Sequence, residues 1–106
     1  MDQLTLIDSV EAYKQAIKDK CCIMFTATWC PDCTYTKTYI GEIVAENPAF
    51  KFYYIDRDQL LDLCIELEIL GIPSFITYEN GKETGRFVSK LRKTKEEVQH
   101  FLDSVK

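Results

Sequence analysis

The chain has 106 residues, of which 46% are apolar and 28% are charged, and its formal net charge at pH 7 is −4. We expect a single domain over residues 1–106, because this length is typical of one domain and the apolar share is enough to form a buried core. The negative charge argues against general binding to nucleic acid or anionic lipid, and no apolar segment approaches the roughly 20 residues that span a membrane.

The first half of the chain predicts alternating strands and helices. Residues 3–7 are a weak candidate for the first strand, and residues 8–11 begin a helix that ends near Lys20. The run CCIMFTA, residues 21–27, shows no polar alternation, which is typical of a central strand covered on both faces. A second helix is expected over residues 31–46, where an Asn-Pro pair stops it.

The second half of the chain predicts a strand, a helix, a hairpin and a last helix. Residues 50–56 are rich in aromatics and form the next strand, and residues 59–70 form the third helix. The Asn-Gly pair at 80–81 predicts a two-residue turn between antiparallel strands. Thr94, three residues before Glu97, predicts a capping box that starts the last helix. The element order β-α-β-α-β-α-β-β-α indicates an α/β fold.

Two cysteines stand at the predicted junction of the central strand and the second helix, in the sequence Cys30-Pro31-Asp32-Cys33. Ligands of open α/β sheets gather at such strand ends. Pro31 suits the first helical position, and residues three apart share a helix face, so the two thiols can form a disulfide after a small adjustment. A helix N-terminus favours a thiolate. We therefore predict that Cys30 attacks disulfides and that Cys33 resolves the product, while the Asp32 carboxylate repels a thiolate on Cys30.

The sequence resembles the thioredoxin family over essentially its whole length, through ATWCPDC after an apolar strand, GIPSF further along, and NGK in the hairpin. The resemblance implies the thioredoxin fold, with a central mixed sheet of four to five strands flanked by about four helices. It also implies that Trp29 shapes a docking surface, that Ile72 offers its backbone to an extended substrate, and that the Ile72-Pro73 peptide bond is cis beside the cysteine pair.

By the same resemblance, we expect a thiol-disulfide oxidoreductase that reduces protein or small-molecule disulfides. It is expected to need no bound cofactor or metal, to act as a monomer, and to receive electrons from a thioredoxin-reductase-like flavoprotein. The predicted catalytic residues are Cys30 and Cys33, and the predicted substrate-binding residues are Trp29, Pro31, Asp32, Ile72 and Pro73.

Several positions depart from the family pattern. WCPDC resembles thioredoxin-related proteins with an aspartate between the cysteines, which often have narrower substrate ranges. Met24 stands where the family has a buried aspartate that assists proton transfer to the resolving cysteine, which leaves Asp32, Asp56 or water as alternatives. Thr38 replaces a helix-kinking proline, so we expect a weaker kink. The segment SKLRK, residues 89–93, replaces a glycine-containing loop; we interpret it as a solvated basic loop that could steer an acidic partner.

Three other functions fit parts of the sequence. A structural zinc site needs four ligands, but no second cysteine pair with similar spacing accompanies Cys30 and Cys33. A glutaredoxin-like protein is a closer alternative, although Trp29 and the lack of a Gly-Gly pair after GIPSF argue against glutathione binding. A non-catalytic adaptor on the same fold also stays open, although both cysteines are retained.

The remaining cysteines and the N-terminal segment bear on the compartment. The chain does not open with a basic stretch followed by an apolar run, so we expect a cytoplasmic protein. Cytoplasmic cysteines are mostly thiols, and five of them cannot all be paired. We therefore interpret Cys21, Cys22 and Cys64 as small apolar core residues.

Overall fold

The computed structural model of the chain describes residues 3–106. These residues form five strands, which are β1 (Thr5–Leu6), β2 (Cys21–Thr26), β3 (Lys51–Asp56), β4 (Ser74–Glu79) and β5 (Lys82–Phe87). They also form five helices, which are α1 (Val10–Ala16), α2 (Pro31–Lys37), α3 (Ile40–Glu46), α4 (Leu61–Glu66) and α5 (Lys95–Ser104). The predicted number of strands is confirmed, and the predicted number of helices is exceeded by one.

The strands pair in one mixed sheet in the order β1-β3-β2-β4-β5. Strands β1, β3 and β2 are parallel, whereas β4 runs antiparallel to β2 and β5 runs antiparallel to β4. All residues of β2 are buried, as its unbroken apolar sequence predicts for a central strand. The C-terminal end of β2 leads directly into the segment that carries the cysteine pair.

Two short-range signals in the sequence produced the expected structures. Asn80 and Gly81 both have positive φ, at 56° and 83°, and connect paired residues Glu79 and Lys82 in a two-residue hairpin. Thr94 caps α5 through a complete capping box with Glu97. The structure confirms both predictions. They could be made from the sequence because each depends on chemistry within a few residues of the chain.

The single helix predicted over residues 31–46 is wrong, because the structure has two helices separated at Thr38 and Tyr39. The Thr38 hydroxyl and the Thr38 N–H both donate to the Tyr35 carbonyl, at 2.7 and 3.0 Å. The Tyr39 N–H donates to the Thr36 carbonyl rather than to Tyr35. The backbone pattern therefore tightens to three-residue spacing and the helix stops. The expected weak kink at Thr38 is instead a full interruption.

Two other helices are shorter than the sequence predicted. Helix α1 ends at Ala16 rather than near Lys20. Helix α4 spans Leu61–Glu66 rather than residues 59–70. Its C-terminal end is early because Glu68 adopts a left-handed conformation with φ of 57°. The Ile69 N–H then donates to the Cys64 carbonyl at 2.9 Å and closes the helix end. Because a glutamate occupies a position that usually favours glycine, this helix end could not be predicted from the residue types.

The buried thiols of Cys21 and Cys64 predict how stability depends on pH. Burial raises the pKa of each thiol from its ordinary value of about 9 to about 11. Between those values the unfolded chain has lost these protons while the folded chain keeps them, so the unfolded state binds fewer protons. The contribution of the thiols is therefore complete below pH 9, and the free energy of unfolding is expected to fall as pH rises toward 11.

Urea unfolding under reducing conditions, at pH 8, 10 and 11, measures this effect. A Cys21→Ala/Cys64→Ala variant serves as the control, because it lacks both titrating groups while leaving other ionisable residues in place. The fall in stability should be shallower in the variant than in the parent protein. Equal falls in the two proteins would contradict the assignment to these thiols.

Candidate active site

The cysteine pair lies at the junction of β2 and α2. Cys30 is the N-cap of α2 and has an extended backbone, Pro31 is the first helical residue, and Cys33 lies in the first turn, all as predicted. The Cys33 backbone N–H donates to Cys30 Sγ at 3.1 Å. All five cysteines are free thiols. In this arrangement a backbone donor stabilises negative charge on Cys30 Sγ.

The two thiols differ in their surroundings. Cys30 is 4% exposed and Cys33 is 0% exposed. Burial raises the pKa of Cys33, and the interaction of its thiol with the Cys30 side chain raises the pKa further, to about 11. The Thr26 hydroxyl and the Ala27 backbone lower the pKa by smaller amounts, although the Thr26 hydroxyl has no well-formed hydrogen bond within residues 3–106. Cys33 is therefore a neutral thiol near pH 7.

The Ile72-Pro73 peptide lies beside Cys30, although 42 residues separate Cys30 from Ile72 in the chain. The Cys30 thiol approaches the Ile72 carbonyl, with a distance of 3.9 Å between sulfur and oxygen. Ile72 and Pro73 are both buried, and the peptide bond between them is cis, which confirms the expectation from the family resemblance. The fold thus brings these two predicted residues to the reactive sulfur.

Trp29 forms an exposed surface next to Cys30. Its side chain is 58% exposed, yet the indole Nε1 donates to the Asp58 carboxylate at 2.7 Å. The Arg57 guanidinium lies 5.3 Å from the centre of a Trp29 ring. The indole is therefore fixed in orientation while one face remains open to a partner. The sequence did not reveal Asp58 as the residue that holds it.

Asp32 has a partner that the sequence analysis missed. The Arg92 Nε donates to Asp32 Oδ1 at 2.9 Å, and the Arg92 guanidinium lies 4.5 Å from the centre of the Tyr35 ring. A guanidinium this close offsets much of the carboxylate's field, so Asp32 repels a thiolate on Cys30 less than an unpaired carboxylate would. The sequence showed Arg92 only as part of the basic segment SKLRK. No local pattern indicated that it would contact Asp32, which lies 60 positions away in the chain.

Among residues 3–106, no carboxylate forms a hydrogen bond with Cys33 that would substitute for the aspartate expected at Met24. Met24 is buried on β2 between Tyr54 and Phe75 of the neighbouring strands. Asp32 is engaged by Arg92, and Asp56 Oδ1 accepts the Asp58 N–H at 2.9 Å. Within residues 3–106, neither Asp32 nor Asp56 forms a hydrogen bond with Cys33.

A cavity of about 240 Å³ adjoins the end of β2. Its lining includes Thr26, Ala27, Asp56 and Gln59. Polar and apolar groups both line the cavity, which is large enough for several water molecules and lies at the strand end that leads to the cysteine pair. A larger cavity of about 460 Å³ lies between β5 and α5 and contains none of the predicted site residues.

The basic segment, residues 89–93, is only partly the solvated loop that the sequence suggested, because Lys90, Leu91 and Arg92 are exposed whereas Lys93 is buried. Lys93 is only 1% exposed, and its Nζ donates to the Ser89 carbonyl and hydroxyl and to the Leu91 carbonyl, at 2.9 to 3.2 Å. Burial lowers the pKa of Lys93. The Lys93 carbonyl in turn accepts the Tyr39 hydroxyl at 2.7 Å. The loop is therefore folded around a buried ammonium group.

Across residues 3–106, no three His, Cys, Asp or Glu side chains come together in a way that could hold a metal ion. No helix in the same part of the chain has the length and apolarity that crossing a membrane requires.

The difference in exposure between the cysteines predicts their reactivity. In the folded dithiol protein, Cys30 is expected to react with iodoacetamide near neutral pH well before the other four thiols, because a thiolate there is stabilised by the Cys33 N–H and has some access to solvent. Peptide mass spectrometry after timed alkylation identifies the modified residue. Equally rapid labelling of Cys21 or Cys64 would contradict this order.

Comparison with known protein families gives a match over most of the chain. The family model described as Thioredoxin matches residues 5–104. The chain is 33% identical to a thioredoxin H-type from Fagopyrum esculentum over 78 residues, which are 74% of this chain and 65% of that protein. It is 30% identical to the mouse thioredoxin over 86 residues, which are 77% of this chain and 82% of that protein. The chain thus spans about two thirds of the length of the Fagopyrum relative.

Solved structures share the same architecture. Thioredoxin from Trypanosoma brucei brucei superposes with a TM-score of 0.84 at 23% identity and covers 96% of this chain and 89% of that chain. A poplar thioredoxin h gives a TM-score of 0.84 at 24% identity, covering 97% and 96% of the two chains. At these identities the similarity establishes the fold alone, and that fold is the thioredoxin fold that the sequence predicted.

Proposed function

The chain belongs to the thioredoxin family of thiol-disulfide oxidoreductases, and we propose that it reduces disulfides of proteins or small molecules through Cys30 and Cys33. The observation that carries this proposal is the geometry around Cys30 Sγ. The sulfur accepts the Cys33 N–H at 3.1 Å and faces the Ile72 carbonyl at 3.9 Å. A nucleophilic thiolate, a second thiol on the same helical turn, and a backbone edge for substrate are the components that disulfide exchange needs.

The reaction begins with the Cys30 thiolate. It attacks one sulfur of the substrate disulfide, which forms a mixed disulfide between Cys30 and the substrate and releases the other substrate sulfur as a thiolate. The Cys33 N–H stabilises the thiolate before attack. Trp29 provides an exposed apolar surface for the substrate, and the backbone at Ile72 and Pro73 lies next to the reacting sulfur.

The second step uses Cys33. Its thiol loses a proton and attacks Cys30 Sγ, which forms the Cys30-Cys33 disulfide and expels the second substrate thiolate. Two electrons have then passed from the protein to the substrate, and solvent protonates the two released thiolates. Burial raises the pKa of Cys33 to about 11, which opposes loss of its proton, and we propose that water from the cavity beside Thr26 and Ala27 accepts that proton.

The oxidised protein must be reduced again in each cycle. We propose that a thioredoxin-reductase-like flavoprotein supplies two electrons, which split the Cys30-Cys33 disulfide, and that the protein needs no bound cofactor of its own. We also propose a monomer whose residues 1–106 form one domain in the cytoplasm, with no nucleic-acid or membrane partner. The five free cysteines support the proposed location, because the cytoplasm keeps thiols reduced.

A coupled turnover assay tests the proposal. The protein is mixed with NADPH, a thioredoxin reductase, and a protein with an interchain disulfide such as insulin, and NADPH oxidation is followed. The expected result is catalytic NADPH oxidation that depends on both the protein and the disulfide, and that is retained in the control variant Cys64→Ser. A second arm supplies glutathione and glutathione reductase instead. Turnover in that arm alone would contradict the proposal and favour a glutaredoxin-like activity.

A further inference from the structure

The basic residues near the cysteine pair have different environments. Lys95 pairs with Glu42 and Glu46, at 2.7 and 3.2 Å. Lys93 is buried and bonded inside its own loop, whereas Lys90 is exposed. Arg92 alone among these four contacts the segment between the two cysteines, through Asp32. The structure therefore separates one arginine from a cluster that the sequence presents as uniform.

The guanidinium of Arg92 is fixed in orientation, but only one of its three nitrogens forms a hydrogen bond within the described residues. One nitrogen, Nε, is bonded to Asp32, and the guanidinium lies over the Tyr35 ring. The side chain is nevertheless 55% exposed. In the part of the chain that the structure describes, the two terminal nitrogens of Arg92 form no hydrogen bonds. Those two nitrogens can bind a carboxylate end-on in bidentate geometry.

The loop that carries Arg92 is held in place from both sides. Lys93 Nζ ties together the Ser89 and Leu91 carbonyls, and the Tyr39 hydroxyl holds the Lys93 carbonyl. The exposed guanidinium is thus attached to an ordered backbone. A preorganised donor loses less conformational entropy on binding than a lysine on a free loop would.

The same loop borders the surface beside Cys30. The backbone of Ser89 and Lys90 packs so closely on Gly71 that a β-carbon there would lie 2.5 and 2.6 Å from it. Gly71 precedes Ile72, whose carbonyl faces Cys30 Sγ at 3.9 Å. A substrate segment that followed the backbone at Ile72 would therefore run beside the loop that carries Arg92.

We propose that Arg92 is a specificity-determining residue, which binds a carboxylate in the peptide segment next to the substrate disulfide. This inference rests on the proposed function, and it narrows the substrates to peptide disulfides flanked by acidic residues. The chain as a whole carries a net charge of −4, so its general field disfavours such substrates. A preference for them must then come from a local contact rather than from overall charge.

Three matched peptide disulfides test the proposal. Each is a symmetric dimer of Gly-Xaa-Cys-Xaa-Gly linked through its cysteines, with Xaa as glutamate, glutamine or lysine. The rate constant for reduction by the dithiol protein is measured under single-turnover conditions. The parent protein should reduce the glutamate peptide about threefold to fivefold faster than the glutamine peptide, the range expected for one exposed ion pair. The difference should shrink as salt rises from about 0.05 to 0.5 M.

Two variants separate a contact at Arg92 from a diffuse charge effect. Arg92→Met should lower the ratio of glutamate to glutamine rates to about one or less. Lys90→Gln, which removes the same charge from the same loop, should keep the parental ratio. Loss of the preference in Lys90→Gln to the same degree, or its persistence in Arg92→Met, would overturn the assignment.

The outcome also distinguishes this inference from the function on which it rests. Equal reduction of all three peptides by the parent protein would overturn the role of Arg92 and leave the oxidoreductase function intact. If the protein reduced neither the three peptides nor the insulin disulfide in the turnover assay, both the role of Arg92 and the oxidoreductase function would be overturned.

Discussion

A Cys33→Ser variant is expected to stop after the first half of the reaction and to accumulate a covalent complex with its substrate. Cys30 keeps its thiol, so attack on the substrate disulfide still forms a mixed disulfide. Serine cannot form the second disulfide bond, so the complex is not resolved and turnover falls to the uncatalysed rate. Non-reducing electrophoresis and intact mass spectrometry detect the complex, whose mass should equal that of the protein plus one substrate half.

Cys30→Ser provides the matched control for this experiment. That variant also loses turnover, but it should form no mixed disulfide, because Cys33 is 0% exposed and burial raises its pKa to about 11. The stable complex should thus appear with Cys33→Ser and not with Cys30→Ser. The reverse pattern would show that Cys33 attacks first and would contradict the roles assigned to the two thiols.

A Gly71→Ala substitution is expected to cause a large loss of stability. The added β-carbon would lie 2.5 Å from the Ser89 carbonyl oxygen and 2.6 Å from the Lys90 nitrogen. Both are backbone atoms, so the loop must move as a unit, at a cost of about 3 kcal/mol, the upper end of the usual range for overpacking. Urea unfolding of the parent and the variant at pH 7 measures the change.

Gly41→Ala is the control for that substitution. The three atoms nearest to its β-carbon all belong to the exposed side chain of Gln3, the nearest at 3.2 Å, and that side chain is free to turn away. Alanine also favours the helical conformation of α3, so the variant should be unchanged or more stable by up to about 0.5 kcal/mol. If Gly71→Ala unfolded at the same urea concentration as Gly41→Ala, the close packing of the loop on Gly71 would be refuted.

The features of the fold that the sequence predicted depend on short-range chemistry. An unbroken apolar run indicates a central strand, and Asn-Gly at 80–81 selects a two-residue turn because both residues tolerate positive φ. The interruption of the second helix was missed because it depends on hydrogen bonds of Thr38 and Tyr39. Propensity lowers the expectation of a helix at such residues, but it does not say which carbonyl each donor will choose.

The site residues also fall into those that the sequence predicted and those that it did not. Cys30 and Cys33 are identified by a local motif at a strand end, and the Ile72-Pro73 pair by the family resemblance. Arg92 was visible only as part of a basic segment, since its contact with Asp32 joins residues 60 positions apart. Asp58 was likewise missed as the partner of Trp29. Contacts between distant side chains depend on how the elements pack, and a single sequence does not encode them in a recognisable pattern.

The most direct test of the account is whether Cys30 and Cys33 form a reversible two-electron couple. The protein is equilibrated in a series of dithiothreitol redox buffers, the remaining thiols are alkylated, and peptide mass spectrometry measures the state of each cysteine. We predict that Cys30 and Cys33 convert together between two thiols and one disulfide with a two-electron dependence, while the other three cysteines remain thiols throughout. A disulfide that includes Cys21, Cys22 or Cys64, or no reversible disulfide between Cys30 and Cys33, would contradict it.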